Sequence, residues 1–222
     1  MKRPLRTLAY RHRWFYDAVS AISALSVGGL QRLRQLAPAM LVDRLPVGAP
    51  VLDLCCGGGD GAIALARRGL RACGLDVAPR ALDQARERAR RCGLTIDWIE
   101  GLAEDPPLAP CSQAGITIAL ALHEFSATER RAVLAACTRL LQPGGWLALV
   151  DLHPARGVMA LPQQLFCALF ETETAIDFLA SDLSVELEQA GLAVVQRELL
   201  AGGALQRLLA QKPPHAEPHP PE

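Results

Sequence analysis

Val51-Leu52-Asp53-Leu54-Cys55-Cys56-Gly57-Gly58-Gly59-Asp60-Gly61 is the stretch that decides the fold. Val51 to Cys55 is a short apolar run broken only by Asp53, which reads as a buried strand. The glycines after it let the backbone turn sharply and approach a ligand closely. Ala62 to Arg68 has helical character, so a helix N-terminus lies beside that turn. In an open sheet of strand–helix units, ligands bind beyond the carboxyl ends of the strands, where strand order reverses.

Outward from this turn, strands and helices alternate. Arg71 to Leu75 reads as a second strand ending at Asp76, and Pro79 suits the first turn of a helix to Arg91 that Gly93 closes. Thr95–Ile99, Gly115–Ala121 and Trp146–Leu152 read as strands, with a helix over Thr128–Leu141 stopped by Pro143-Gly144-Gly145. Near the end, Val185–Ala190 reads as a helix. Ala193–Leu200 and Ala204–Ala210 read as strands, and their short link, Ala201-Gly202-Gly203, forces an antiparallel hairpin. The expected fold is α/β: a doubly wound, seven-stranded sheet, mostly parallel, with helices on both faces.

Composition narrows the function classes. The 222 residues carry 23 basic and 23 acidic side chains, which argues against a dedicated nucleic-acid binder. No apolar run reaches the roughly 18 residues of a membrane span, and the start lacks the apolar core of a signal peptide. The expectation is therefore a cytoplasmic protein. Its seven cysteines are odd in number and lack zinc spacing, so they read as reduced, small apolar residues with no metal site. Three segments are expected: a helical cap over 1–45, the α/β domain over 46–212, and a disordered Pro-rich tail over 213–222. The cap, read as helices over Trp14–Ile22 and Leu30–Val42 with a break at Gly28-Gly29, is basic by about +6. It either simply packs on the core or also meets an anionic membrane surface or a substrate.

Two ligand classes fit a glycine turn with a carboxylate, Asp76, 23 residues beyond Asp53 and placed for a ribose diol. Gly57-x-Gly59-x-x-Ala62 nominally matches the dinucleotide pattern. Asp53 counts against it, because a carboxylate inside the turn would face a pyrophosphate. A methyl donor with an ammonium and a sulfonium favours acidic neighbours.

The chain resembles the class I S-adenosylmethionine-dependent methyltransferases, whose fold is Rossmann-like. Val51 to Gly59 is similar to their first motif and Gly74-Leu75-Asp76-Val77-Ala78 to their second. Glu100 to Asp105 resembles the segment after their third strand, and Leu141 to Leu147 the entry to their fifth. Within that superfamily, Asp53-Leu54-Cys55-Cys56, Phe15-Tyr16-Asp17, Ile116-Thr117-Ile118 and Leu122-His123-Glu124-Phe125 resemble the ubiquinone/menaquinone C-methyltransferases. The Leu-His-Glu-Phe stretch, with Asp151-Leu152-His153 after it, is similar to cyanobacterial relatives. The resemblance implies S-adenosylmethionine as cofactor, contacted by Tyr16, Asp53, Cys55, Gly57, Gly59, Asp76, Val77, Leu102, Ala103 and Leu120. Two positions depart from the pattern: Cys55 replaces a glycine, and Leu102 stands where an acid commonly meets the adenine amino group. Glu100, Glu104 or Asp105 would then supply that contact. His123-Glu124 replaces the Arg-Asn that is common in the quinone enzymes.

The implied partner is a small lipophilic acceptor, a prenylated or phytylated quinol, with peripheral contact at a membrane. Carbon methylation of a quinol needs a deprotonated hydroxyl, so a base near neutral pKa is expected. His123 is the first candidate, Glu124 its orienting or hydroxyl-binding neighbour, and His153 the second base. Alternatively, His123 only hydrogen-bonds a loop. Met159 to Phe170 either fills the core or lines a pocket for a lipid tail, and Arg86 to Arg91 reads as a solvated helix face. A soluble acceptor, or a non-catalytic subunit, are the competing readings.

Overall fold

In the computed structural model, which describes residues 29–155 and 173–214, the chain builds outward from one central strand. That strand is β1 (Pro50–Leu54), flanked by α1 (Leu30–Val42) before it and α2 (Asp60–Ala66) after it. Next come β2 (Arg71–Asp76), α3 (Pro79–Arg91), β3 (Asp97–Glu100) and β4 (Gln113–Ala119). A 3-10 turn, Leu122–Glu124, leads to α4 (Ala127–Leu140) and β5 (Leu141–Leu152). The chain continues through α5 (Glu173–Ala180), α6 (Leu183–Gln189), β6 (Ala193–Leu200) and β7 (Leu205–Gln211).

The seven strands lie in the order β3-β2-β1-β4-β5-β7-β6. Every pairing from β3 to β5 is parallel, and β7 runs antiparallel to both of its neighbours. Strand order reverses between β1 and β4, so the crevice expected of this topology opens at their carboxyl ends. Leu54 pairs with Leu75 and Ile118, and Ile118 with Leu149, so the strand exits converge on one edge.

Both sheet faces are covered. On one, Leu52, Leu54, Ile116, Ile118, Leu147 and Leu149 pack under Val133, Leu134 and Cys137 of α4, Phe178 of α5 and Leu187 of α6. On the other, Val51, Ala72, Ala148 and Val150 meet α1 and α2 through Leu33, Leu41, Ala62 and Leu65. This double coverage is why the central strands read as continuous apolar runs.

Several boundaries move. α4 starts at Ala127 because Ser126 and Glu129 form a reciprocal capping box. β5 starts at Leu141, not Trp146: Pro143-Gly144-Gly145 lies within the strand, and Gly144 N–H is bonded to Lys212 O at 2.9 Å. β3 is Asp97–Glu100 rather than Thr95–Ile99, and β4 ends at Ala119. α5 has no counterpart in the sequence reading; it is two turns long and offers only Ala175 and Phe178 as a buried pair. The expected helix Trp14–Ile22, the segment Met159–Phe170 and tail residues 215–222 lie outside the described residues.

Candidate functional site

At the end of β1 the backbone passes into the left-handed region at Cys55 (φ 58°), Gly57 (φ 50°) and Gly59 (φ 79°) before α2 begins. Glycine adopts this region freely, whereas an L-residue such as Cys55 costs about 1–2 kcal/mol there. A second non-glycine residue, Leu120 (φ 56°), takes the same conformation just beyond β4. Strained backbone thus stands at both strand ends bordering the reversal point, where such strain tends to collect at functional sites. Two neighbours hold the turn. Cys56 N–H is bonded to Leu75 O at 2.9 Å, and Gly57 N–H to Asp76 Oδ2 at 2.7 Å. At Gly59 a Cβ would come within 2.5 Å of the Trp98 ring and 2.9 Å of Ala85, whereas at Gly57 it would meet only open space.

Asp76, at the end of β2, also accepts the Ala78 N–H at 2.9 Å through Oδ1. Each carboxylate oxygen has a further acceptor position. Val77 (63% exposed) and Leu102 (57%) leave apolar surface uncovered beyond β2 and β3. Ala103 is buried.

Asp53 is placed differently from the expectation. It lies beneath the turn, 4% exposed, and accepts the Ala62 N–H of α2 at 2.8 Å and the Thr117 hydroxyl at 2.7 Å. A Cβ on Gly61 would fall 2.6 Å from its oxygens. Burial pushes the carboxyl up to about 6, against the Thr117 and Ala62 hydrogen bonds that favour the anion. Asp53 therefore braces strand to helix instead of facing the crevice. The charge argument against a pyrophosphate, which needs Asp53 to face the ligand, is not met.

The reading of Arg86–Arg91 as a solvated face also needs correcting. Glu87 does pair outward with Arg90 and Arg91. Arg88, however, reaches back to donate to Gly58 O at 2.7 Å and to the Asp60 carboxylate, which Arg34 also bonds at 3.0 Å. Burial works against the Asp60 anion, but the Arg88 and Arg34 bonds hold its carboxyl below the usual range. The glycine turn thus rests on a three-element ion cluster. The Cys55 and Cys56 thiols are pushed up by burial, so both stay neutral and packed.

Further along the same edge, His123 sits in the 3-10 turn after β4, 2% exposed. Its Nδ1 is 2.6 Å from Oδ1 of Asp151, the penultimate residue of β5. The carboxylate against His123 is that of Asp151, not of the orienting or hydroxyl-binding candidate Glu124, which is exposed. The ring of Phe178 stands edge-on to His123, with centroids 6.4 Å apart. Above Phe178 lies the Arg130 guanidinium at 5.2 Å, itself bound bidentate by Glu186 at 2.7 and 2.8 Å.

His153 is tied elsewhere: its Nδ1 donates to Gly203 O at 2.7 Å and its N–H to Ala204 O at 2.9 Å, bracing the β6–β7 connection. Gln206, opposite Asp151 in the β5–β7 register, is buried, with Oε1 lacking a hydrogen-bond partner. Asp151 and Arg130 have no role that the sequence alone indicates; the one signal at Asp151 is a lone charged residue inside an apolar strand run. Tyr16 and the Phe15-Tyr16-Asp17 stretch lie outside the described residues, as do Cys167, His12, His215 and His219. Among the described residues no group of three His, Cys, Asp or Glu side chains can hold a metal ion, and no helix is long and apolar enough to cross a membrane.

Residues 51–145 match the methyltransferase domain family. Over 93% of this chain and 95% of the other, the sequence is 39% identical to an uncharacterized methyltransferase of Synechocystis sp.. It is 35% identical to the 2-phytyl-1,4-naphtoquinone methyltransferase of Thermosynechococcus vestitus, over 89% of this chain and 94% of that one. Among solved structures, an S-adenosylmethionine-dependent methyltransferase from Aquifex aeolicus superposes with a TM-score of 0.63 at 21% identity, covering 87% of this chain and 97% of that chain.

Proposed function

Because the chain belongs to the class I S-adenosylmethionine-dependent methyltransferases, we propose that its acceptor is a lipophilic quinol, methylated at a ring carbon with His123 as the general base. One observation carries this reading: a buried His123–Asp151 pair at the strand edge where the glycine turn also lies. Such a pair suits an acceptor that must lose a hydroxyl proton. The substrate class follows from the phytyl-naphthoquinone relative, which aligns over nearly the whole chain.

S-adenosylmethionine, when bound, supplies an electrophilic methyl group on a sulfonium. The residues present suit it. Asp76 has acceptor positions left for the ribose hydroxyls, open space stands over Gly57, and Val77 and Leu102 leave apolar surface exposed beyond β2 and β3 that a purine could cover. Asp76 suits the ribose diol of any adenosine ligand, and the methyltransferase relatives select S-adenosylmethionine. His123 would take the acceptor hydroxyl proton, which concentrates electron density on the ring carbon. The ring hydrogen displaced there leaves as a proton once the new C–C bond has formed. A base so placed contributes roughly 10²- to 10⁴-fold.

The test is label transfer from methyl-labelled S-adenosylmethionine to reduced 2-phytyl-1,4-naphthoquinone in detergent, set against water-soluble phenols. A C-methylated lipid product is expected. Turnover of soluble phenols with none of any prenylated quinol would overturn the acceptor. His123→Ala should keep S-adenosylhomocysteine affinity while turnover falls by about 10²-fold or more.

A further inference from the structure

We propose that Asp151 is a positioning residue for the reaction: it locks the His123 ring in one orientation with its hydrogen on Nδ1, leaving Nε2 as the basic nitrogen. This deepens the acid–base reading above and rests on it.

The geometry begins with register. β4 and β5 are parallel neighbours with Ala119 opposite Val150, so the residues that follow each strand meet at one edge. There Asp151, 1% exposed, receives three backbone amides: Leu122 at 2.8 Å and Ala121 at 3.2 Å on Oδ2, and Leu152 at 2.7 Å on Oδ1. Two of these amides belong to the turn that carries His123. One carboxylate therefore fixes both the backbone of the turn and, through the 2.6 Å contact to Nδ1, the imidazole itself. Toward the ring a carboxylate can only accept, which puts the imidazole hydrogen on Nδ1.

The other side of the ring is closed by the edge-on Phe178, inclined at 66°. Phe178 is held under Arg130, and Arg130 is locked to Glu186 and to Phe125 O at 3.1 Å. The ring is pinned from two directions and cannot turn without breaking the Asp151 contact. Where the acceptor's hydroxyl proton goes is then decided in advance: to Nε2. The positive charge that develops on the ring is balanced by a carboxylate already in place.

The first measurement leaves Asp151 unchanged. In full-length protein labelled with ¹⁵N-histidine, two-bond ¹H–¹⁵N correlation spectra report which ring nitrogen carries the hydrogen, and a His123→Gln sample identifies the His123 signals among the five histidines. The neutral ring is expected as the Nδ1–H tautomer with a far-downfield Hδ1. An Nε2–H tautomer overturns the proposal. Asp151→Asn presents an amide donor to Nδ1 and should drive the hydrogen to Nε2. It should cut kcat by roughly 10²-fold or more while the KM for the quinol and the S-adenosylhomocysteine affinity stay within about threefold. Wild-type kcat in Asp151→Asn alongside a dead His123→Ala sinks the positioning role alone. Wild-type turnover in His123→Ala sinks the acid–base reading itself. Should Asp151→Asn fail to fold, the wild-type tautomer still decides.

Discussion

At the scale of single residues, two carboxylates at neighbouring strand ends do opposite work because of how far water reaches them. Asp76 is half-buried and keeps acceptor positions beyond its bonds to Gly57 and Ala78; Asp53 is enclosed, with its oxygens taken by Ala62 and Thr117. Asp76→Ala removes an acceptor of charge-assisted bonds and frees the Gly57 amide that it anchors, so the S-adenosylhomocysteine affinity should fall by roughly 10²-fold by isothermal titration. Unchanged affinity would remove the cofactor role from Asp76. Asp53 should show itself in the pH dependence of stability. Its carboxyl is raised by burial from 3.8 to about 6, so the folded state binds the proton more tightly than the unfolded one. Its stabilising contribution is full below about pH 4 and is lost as the pH rises through about 6, to the extent of about 3 kcal/mol. Asp53→Asn should therefore gain on wild type as the pH rises from 4 to 7 in thermal melts, reaching roughly 6–12 °C in Tm. A difference that is constant with pH would show that Asp53 is not the group responsible. Asp60 and Glu186, held low by their arginine partners, act in the other direction, and comparing variant with wild type cancels them.

At the scale of elements, the Glu186–Arg130 pair ties together three helices that cover one sheet face. Arg130 of α4 is 1% exposed; it binds Glu186 of α6, stacks over Phe178 of α5 and donates to the turn after His123. Removing one partner of a buried pair costs about 3–5 kcal/mol, because a charge is left without its counterion. Arg130→Met should therefore lower stability by that amount in denaturant unfolding, and Glu186→Leu added to it should recover part of the loss. Additive losses from the two changes would mean that the pair is not energetically coupled. Element limits were readable where the signal is local. Pro79 at the start and Gly93 past the end bracket α3, whose bounds match the sequence reading residue for residue. Pro143-Gly144-Gly145 misleads for the same reason: the local signal says turn, but Gly144 is held in the sheet through Lys212.

At the scale of the whole molecule, the sequence by itself determined the alternation of strands and helices, the doubly wound class, the terminal hairpin and the glycine turn with Asp76 downstream. These follow from periodicity and from backbone preferences that act over a few neighbours. Only the tertiary structure decided that Asp53 is enclosed beneath the turn, that Arg88 turns inward to support Gly58, that β7 lies between β5 and β6, and that Asp151 partners His123. Asp151 and His123 lie 28 positions apart, Arg88 and Gly58 30, and Asp53 and its partner Thr117 64. Strand register sets them, because a slip of one residue would turn Asp53 or Asp151 to the opposite face of the sheet. Register comes from how the two apolar faces pack against their helices, a property of the assembled layers that no short window of sequence contains.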